Sequence, residues 1–314
     1  MTKLDEKQII ILFQRAFGRK TPTMEDVETI KVGKNIAVIK IDTLVSGTDV
    51  PPGMSLHDVA RKSIVACVSD FAAKGVRPTH CIVSVSLPKS LSRKDVAKLA
   101  DGFKAASKEF NVSIIGGDTN ESDEIIITVS MFGMAERIVR RKGAKSGDVI
   151  FVTGHFGKTA SGLKILLERR KAKPIFATDV KKAVYHAIPR LKFGMLAAKH
   201  MTSSMDSSDG LSTTLVELSR QSRKKFIITE IPTTSEIAEF ARANNLDLLD
   251  LVFNGGEEYE IVATAPQKSV AKLRQIAEKS KTPFIQIGMV KNGRGVFLKE
   301  SNMELKDLGW SHFA

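Results

Sequence analysis

Cysteine is almost absent from this chain. Cys67 and Cys81 are the only two in 314 residues, both stand in apolar surroundings, and neither belongs to a CxxC or Cys/His ligand pattern. A disulfide framework and a thiolate zinc site are therefore excluded, and both thiols are expected as reduced core residues. Aromatic residues are scarce at 6%, with one Trp and two Tyr. The basic runs Arg140-Arg141-Lys142 and Arg223-Lys224-Lys225 lack interleaved rings, so the net charge of +13 reads as a solvated face and not as a nucleic-acid groove. The six histidines form no HxxxH pair, and no Ser/His/Asp arrangement is legible, which ranks hydrolase readings low. No apolar run approaches the roughly 20 residues that span a bilayer. Ile9-Ile10-Ile11-Leu12-Phe13 sits between charges without a signal-peptide layout, so the expected location is the cytoplasm.

The chain does have an ordinary globular balance, 42% apolar and 26% charged, at a length that suits two domains. Against its basic background stand three acidic motifs: Val68-Ser69-Asp70, Gly116-Gly117-Asp118-Thr119 and Asp206-Ser207-Ser208-Asp209-Gly210. Each places a carboxylate at a break between apolar segments, where it can reach a shared cleft. Three carboxylates brought to about 5 Å repel by roughly 3 kcal/mol per pair at an effective dielectric near 20. A domain stable by about 5–15 kcal/mol feels that cost, so magnesium and a phosphorylated ligand are the natural compensation.

Periodicity predicts a first helix over about Leu4 to Phe17, closed by Gly18 and Pro22, and a strand from Ile36 to Ile41 ending in Asp42-Thr43. A helix from His57 to about Lys74, stopped by Gly75 and Pro78, puts Asp70 in its last turns. Strands follow at Cys81 to Leu87, Val112 to Ile115 and Ile125 to Phe132, with a helix over Arg93 to Glu109. The GGDT segment is expected directly after its strand, where α/β folds place ligand chemistry. Polar, glycine-bearing sequence at Gly143 to Asp148 marks a boundary between domains 1–148 and 149–314. Beyond it come helices from about Thr159, from about Val180 to His200 and from Asp209, with strands near Phe226, Tyr259, Ile285 and Val296. The expected class is α/β (α+β).

Gly154-His155-Phe156-Gly157-Lys158-Thr159 fails as a P-loop, because Val152 occupies the position that must be glycine. Asp206 to Gly210 exceeds a plain helix N-cap: one polar residue suffices for a cap, whereas two carboxylates beside hydroxyls suit metal and nucleotide contacts. Gly255-Gly256-Glu257-Glu258-Tyr259-Glu260 packs three acids into four residues between apolar stretches and, taken alone, reads equally as a solvated turn.

Together these segments resemble the thiamine-monophosphate kinase family, in its archaeal form, within the superfamily of aminoimidazole ribonucleotide synthetase. The likeness runs over nearly the whole chain. It is carried by Asp42-Thr43-Leu44-Val45, Thr48-Asp49-Val50-Pro51-Pro52-Gly53-Met54, Ala60-Arg61-Lys62, Val68-Ser69-Asp70-Phe71-Ala72-Ala73-Lys74-Gly75, GGDT at 116–119, Arg141 before Gly143-Ala144, SDGL at 208–211, GGEEYE at 255–260 and Gly309-Trp310-Ser311-His312-Phe313.

The resemblance implies an N-terminal domain that pairs across a homodimer to form a β-barrel, a C-terminal α/β layered domain, and ATP and substrate in the cleft between them. It implies magnesium held by Asp42, Asp70, Asp118 and Asp206 or Asp209, with Asp70, Asp118 and Asp209 catalytic. Ser208, Gly117 and Arg141 would contact ATP; Asp49, Glu257, Glu258 and Trp310 or Phe313 would hold thiamine monophosphate, a ring packing on the thiazolium by cation–π attraction. Where the family usually shows Gly-Asp-Asp, this chain has Met24-Glu25-Asp26, with Glu25 as the candidate ligand. Lys40-Ile41 replaces a Ser-Thr common in bacterial members, so that any contribution there is expected from backbone. The implied reaction is ATP- and magnesium-dependent phosphorylation of thiamine monophosphate to thiamine diphosphate, with no nucleic-acid or membrane partner. The alternatives are another ATP-using enzyme of the superfamily, in purine synthesis or hydrogenase maturation, and a regulator that binds nucleotide without catalysis, for which Glu25 in place of aspartate is the best support.

Overall fold

The computed structural model describes residues 4–18 and 24–313. Helix α1 (Glu6–Ala16) starts from a capping box in which Asp5 accepts from the Gln8 amide, and Gly18 turns the chain with φ 76°. Strands β1 (Glu28–Val32) and β2 (Asn35–Val45) form a hairpin over Gly33, and a short turn of helix, α2 (Ser46–Asp49), leads to α3 (Leu56–Lys74). Ser55 caps α3, and Gly75 ends it at φ 70°, as the sequence predicts. Then come β3 (Pro78–Leu87), α4 (Arg93–Phe110), β4 (Ser113–Glu121) and β5 (Ile126–Ala135). The five strands make one sheet in the order β1-β2-β5-β3-β4. Its pairs are antiparallel except β3 with β4, which α4 connects as a crossover.

The second series runs β6 (Val149–Val152), α5 (Lys158–Glu168), α6 (Pro174–Tyr185), α7 (Leu191–Ala197), β7 (Ser203–Ser207), α8 (Leu211–Ser222), β8 (Lys225–Ile228), α9 (Ser235–Ala243), β9 (Glu260–Ala265), α10 (Val270–Ser280), β10 (Ile285–Lys291) and β11 (Val296–Leu298). These six strands form the second sheet, ordered β11-β8-β10-β6-β9-β7.

Helix α3 joins the two layers. Val59, Ile64, Val68 and Phe71 pack into the core of the first sheet, while Ala72 and Ala73 lie among Phe151, Phe193 and Ile261 of the second. Buried between the layers, α3 also carries Arg61, Lys62, Ser69, Asp70 and Lys74 among its buried residues, each of which needs a polar partner there. Its contact with α7 is close enough that a Cβ on Gly194 would sit 1.9 Å from the Ala72 carbonyl oxygen, so only glycine fits there.

Several expectations need correction. The strand holding GGDT runs through Gly116–Thr119 to Glu121, so Asp118 lies within β4 and not after it. Asp42 likewise lies inside β2. The single helix expected from Val180 to His200 is two, α6 and α7, because Pro189 lacks an amide hydrogen and keeps Ile188 out of helical geometry. The helix expected from Asp209 begins at Leu211, behind Gly210 at φ 121°. The described chain is a mixed α/β structure with two sheets, and its first sheet is open. The sheet face turned away from α3 is uncovered and carries exposed apolar side chains: Ile41 is 65% exposed and Ile82 49%.

Candidate active site

The last turns of α3 present Ser69, Asp70 and Lys74, all buried, toward β7. β7 places Asp206 opposite them, and the segment before β1 brings Asp26. Asp26, Asp70 and Asp206 each offer an oxygen within 4.8 Å of the others, and the Ser69 hydroxyl donates to Asp206 Oδ2 at 2.8 Å. At that spacing three ionised carboxylates repel by about 3 kcal/mol per pair. Cations must offset this.

Three do so from the chain itself. The Lys74 ammonium, fully buried, meets Asp26 at 2.5 Å and Glu25 at 2.9 Å, and donates to the Ser204 carbonyl. Arg141 grips Asp26 Oδ1 through Nε at 2.7 Å and through Nη2, and its backbone amide donates to Glu25. Lys40, on the inner face of β2, reaches Asp70 at 2.9 Å and Asp42 at 3.4 Å. Burial alone would raise the Asp26 carboxyl, but Arg141 and Lys74 outweigh it and hold it below the usual range. Asp70 goes the other way: burial, with Asp206, Asp26 and Asp42 nearby, pushes it well up despite Lys40. Burial and Asp26 lift Asp206 to about 6.

Ser208 and Asp209 follow β7, the Ser208 hydroxyl donating to Asp209 Oδ1 at 3.2 Å. Burial raises the Asp209 carboxyl. The 255–260 loop crosses beside them: the Glu257 amide donates to the Ser208 carbonyl at 2.6 Å, and the Tyr259 amide to Ser207 at 2.9 Å. Glu257 and Tyr259 both take left-handed backbone, φ 67° and 52°. That conformation turns the acids apart. Glu257 faces the junction of the two sheets, paired with Lys62, whose ammonium also donates to the Asp49 carbonyl at 2.5 Å. Glu258 points into the second half and accepts from the amides of Gly157 (2.7 Å) and Thr159 (3.3 Å) at the start of α5. Burial lifts it to about 7. Asp49 accepts from the Val45 amide at 2.7 Å. Trp310 is tied down by its backbone, which donates to the Asp209 carbonyl at 2.8 Å, while its ring is 57% exposed. The Phe313 ring is exposed as well.

Asp118 stands apart. Thr43 pairs with Thr128, Thr128 with Ser84, and Ser84 with Asp118, a polar row across the sheet on the face of Ile82, opposite to Lys40, Asp42 and Asp70. Its described partner is the Asn120 amide at 2.8 Å. Gly117 lies against β3, where a Cβ would meet the Val83 carbonyl oxygen at 1.9 Å. Within one chain, then, Asp70 and Asp206 come together, Asp42 and Asp209 flank them, and Asp118 and Gly117 do not join them.

Sequence reasoning missed four participants. Asp26, not Glu25, enters the cluster; the shorter arm is the one the buried position admits, and Glu25 instead holds Lys74 and the Arg141 amide. Lys40 acts through its side chain and not through backbone alone, which the alternation of β2 could have revealed, since Lys40 and Asp42 are two residues apart on one face. Lys74 and Ser69 carry no signal of their own in a helix otherwise buried for packing.

Two sheets joined by a buried helix around an acidic cluster define the class first: residues 24–135 match the family described as AIR synthase related protein, N-terminal domain. The thiamine-monophosphate kinase of Nitrosopumilus maritimus is 50% identical over all of both chains. That of Pyrococcus horikoshii is 32% identical over 99% of this chain and 97% of its own. This chain belongs to the thiamine-monophosphate kinase family. Among solved structures, AaThiL complexed with AMPPCP and TMP superposes with a TM-score of 0.87 at 26% identity, covering 99% of each chain.

Proposed function

We propose that the chain transfers the γ-phosphoryl group of ATP to the phosphate of thiamine monophosphate, giving thiamine diphosphate and ADP. The observation that carries this is the buried Asp26–Asp70–Asp206 cluster at the junction of the two sheets, in a chain half identical over its full length to a named thiamine-monophosphate kinase. The cluster fits magnesium: its donors are hard carboxylate oxygens from three separate elements, and the Ser204 hydroxyl, on the same face of β7 as Asp206, is buried without a hydrogen-bond partner among the described residues. Bound there, magnesium would neutralise phosphate charge and align the two phosphates.

The chain's own groups supply the rest. The acceptor is already an anionic nucleophile, so no strong general base is needed. Arg141 and Ser208 are assigned to ATP. Asp49, Glu257 and an aromatic ring of the 309–313 segment are assigned to the thiamine moiety. Glu258 contributes by fixing the loop that presents Glu257. The regulatory alternative rests on Glu25 in place of aspartate; Asp26, the second acid of that motif, is the one that meets Asp70 and Asp206. Domains 1–148 and 149–314 are assigned as the metal-binding, dimerising half and the half that completes the cleft.

A homodimer accounts for the uncovered face of the first sheet, with Ile41, Ile82, Ile115 and Phe132 exposed. It also offers Asp118 and Gly117 a role, since the face that carries Asp118 would then meet a second chain. The assigned compartment is the cytoplasm; no helix among the described residues is long and apolar enough to cross a membrane. The deciding assay incubates the purified protein with ATP, magnesium and thiamine monophosphate and measures thiamine diphosphate. ATP consumption without that product would move the assignment to another ATP-using member of the superfamily. Sedimentation at low micromolar concentration should show a dimer, and a clean monomer would remove the barrel.

A further inference from the structure

We propose that the Lys40 ammonium is a resident counter-cation that takes the place of a divalent ion between Asp42 and Asp70. The inference rests on the reading that the neighbouring carboxylates bind divalent metal. Lys40 leaves the inner face of β2 two residues before Asp42, and α3 brings Asp70 to the same point. One ammonium therefore touches Asp70 Oδ2 at 2.9 Å and Asp42 Oδ2 at 3.4 Å. A divalent ion shared by those two carboxylates would have to displace the ammonium that already contacts both.

The charge pattern agrees. Four carboxylates, Glu25, Asp26, Asp42 and Asp70, pair with three fixed cations, Lys40, Lys74 and Arg141, and Asp206 converges beside them. Lys74 and Arg141 both bind Asp26, and among the described residues Lys40 is the cation paired with Asp42. Among the described contacts no cation bridges two members of the Asp26–Asp70–Asp206 group, whose oxygens converge on one another, whereas Asp42 and Asp70 are bridged by a cation the protein brings with it. Only 21% of the Lys40 side chain is exposed, so the ammonium has little water to return to and stays with its carboxylates.

The consequence is a site that takes one divalent ion fewer than its carboxylates suggest. The test counts Mn²⁺ bound per chain, by electron paramagnetic resonance of the free ion and by calorimetry, with a non-hydrolysable ATP analogue present. Wild type, Lys40→Met, Lys40→Arg and Asp42→Asn are compared as full-length protein. Lys40→Met should gain one Mn²⁺ per chain, and Lys40→Arg should match wild type. Asp42→Asn should also match wild type, because its carboxylate serves the lysine; this arm stands if Lys40→Met does not fold. An equal, non-zero count in wild type and Lys40→Met, or the loss of one ion in Asp42→Asn, overturns the proposal and leaves the metal reading standing. Absence of Mn²⁺ binding in wild type overturns both.

Discussion

The hydroxyl of Ser69, on α3, donates to the carboxylate of Asp206, on β7, at 2.8 Å in the buried junction between the two sheets. One oxygen of Asp206 is thereby held, and the acid is oriented toward Asp26 and Asp70. Ser69→Ala should leave the fold intact and raise the magnesium concentration needed for half-maximal activity by about tenfold or more, since a buried charge-assisted hydrogen bond is worth about 1.5–3 kcal/mol when removed from one side and about 1.4 kcal/mol is a factor of ten. A magnesium titration of activity that superimposes on wild type would show that the hydroxyl serves packing alone.

Asp70→Asn and Asp118→Asn should each lower turnover by well over tenfold, more than about 1.4 kcal/mol of barrier. The two losses differ in kind. Asp118 faces away from Asp70 within its own chain, so if both serve one reaction they come from different subunits. Mixing the two inactive variants under subunit exchange should then restore part of the activity. No recovery in the mixture, with exchange verified, would show that the two residues do not serve one reaction from different subunits.

Asp26→Asn should be far more damaging than Glu25→Gln. Asp26 belongs to the converging oxygens and anchors Lys74 and Arg141, whereas Glu25 supports those two cations from outside. Comparable kcat and magnesium requirement in the two variants would contradict this ordering.

Glu258 gives a pH signature separable from the chemistry. Burial lifts its pKa from 4.5 to about 7. Across that window the folded state binds the proton more tightly than the unfolded state, so this group's contribution to stability is present at low pH and is lost as pH rises. Glu258→Gln keeps an acceptor for the Gly157 and Thr159 amides but cannot ionise. The Tm of wild type relative to Glu258→Gln should therefore fall between pH 4.5 and 7, by about 1 kcal/mol of stability per pH unit, and level off above. A constant difference over the range would mean that the carboxyl titrates normally.

Replacing Trp310 and Phe313 separately by Ala should identify the ring that packs on the thiazolium. Trp310 is the better placed, because its backbone is fixed to the Asp209 carbonyl while the ring remains exposed. A desolvated cation–π contact of about 2 kcal/mol corresponds to roughly thirtyfold in affinity. The loss should fall on thiamine monophosphate and spare ATP; equal losses for both ligands would indicate a general collapse of the segment.

Much of this was legible in the chain. The helix read from His57 to about Lys74 and stopped by Gly75 runs from Leu56 to Lys74, and Asp70 and Asp206 stood out as acids interrupting apolar sequence. What escaped depended on facts that no local pattern carries. Asp118 sits in a motif as distinct as any, yet the parity of β4 against β3, set by a bulge at Cys81–Ile82, turns it to the other face. Glu257 and Glu258 are adjacent in sequence, and one left-handed residue sends them to different halves. Lys40 and Lys74 read as ordinary basic residues of a basic protein, since their importance comes from partners distant in sequence. Pro189, by contrast, was a readable break inside a helix drawn too long.

The burial of α3 between both layers, with Gly194 pressed onto Ala72, bears on how the molecule melts and evolves. Neither half can be lifted away without exposing one side of that helix and breaking the bond from the fully buried Lys74 ammonium to the Ser204 carbonyl. Heat should accordingly produce a single calorimetric transition. Exchanging the second half for that of a distant relative should succeed only when α3 and α7 travel together.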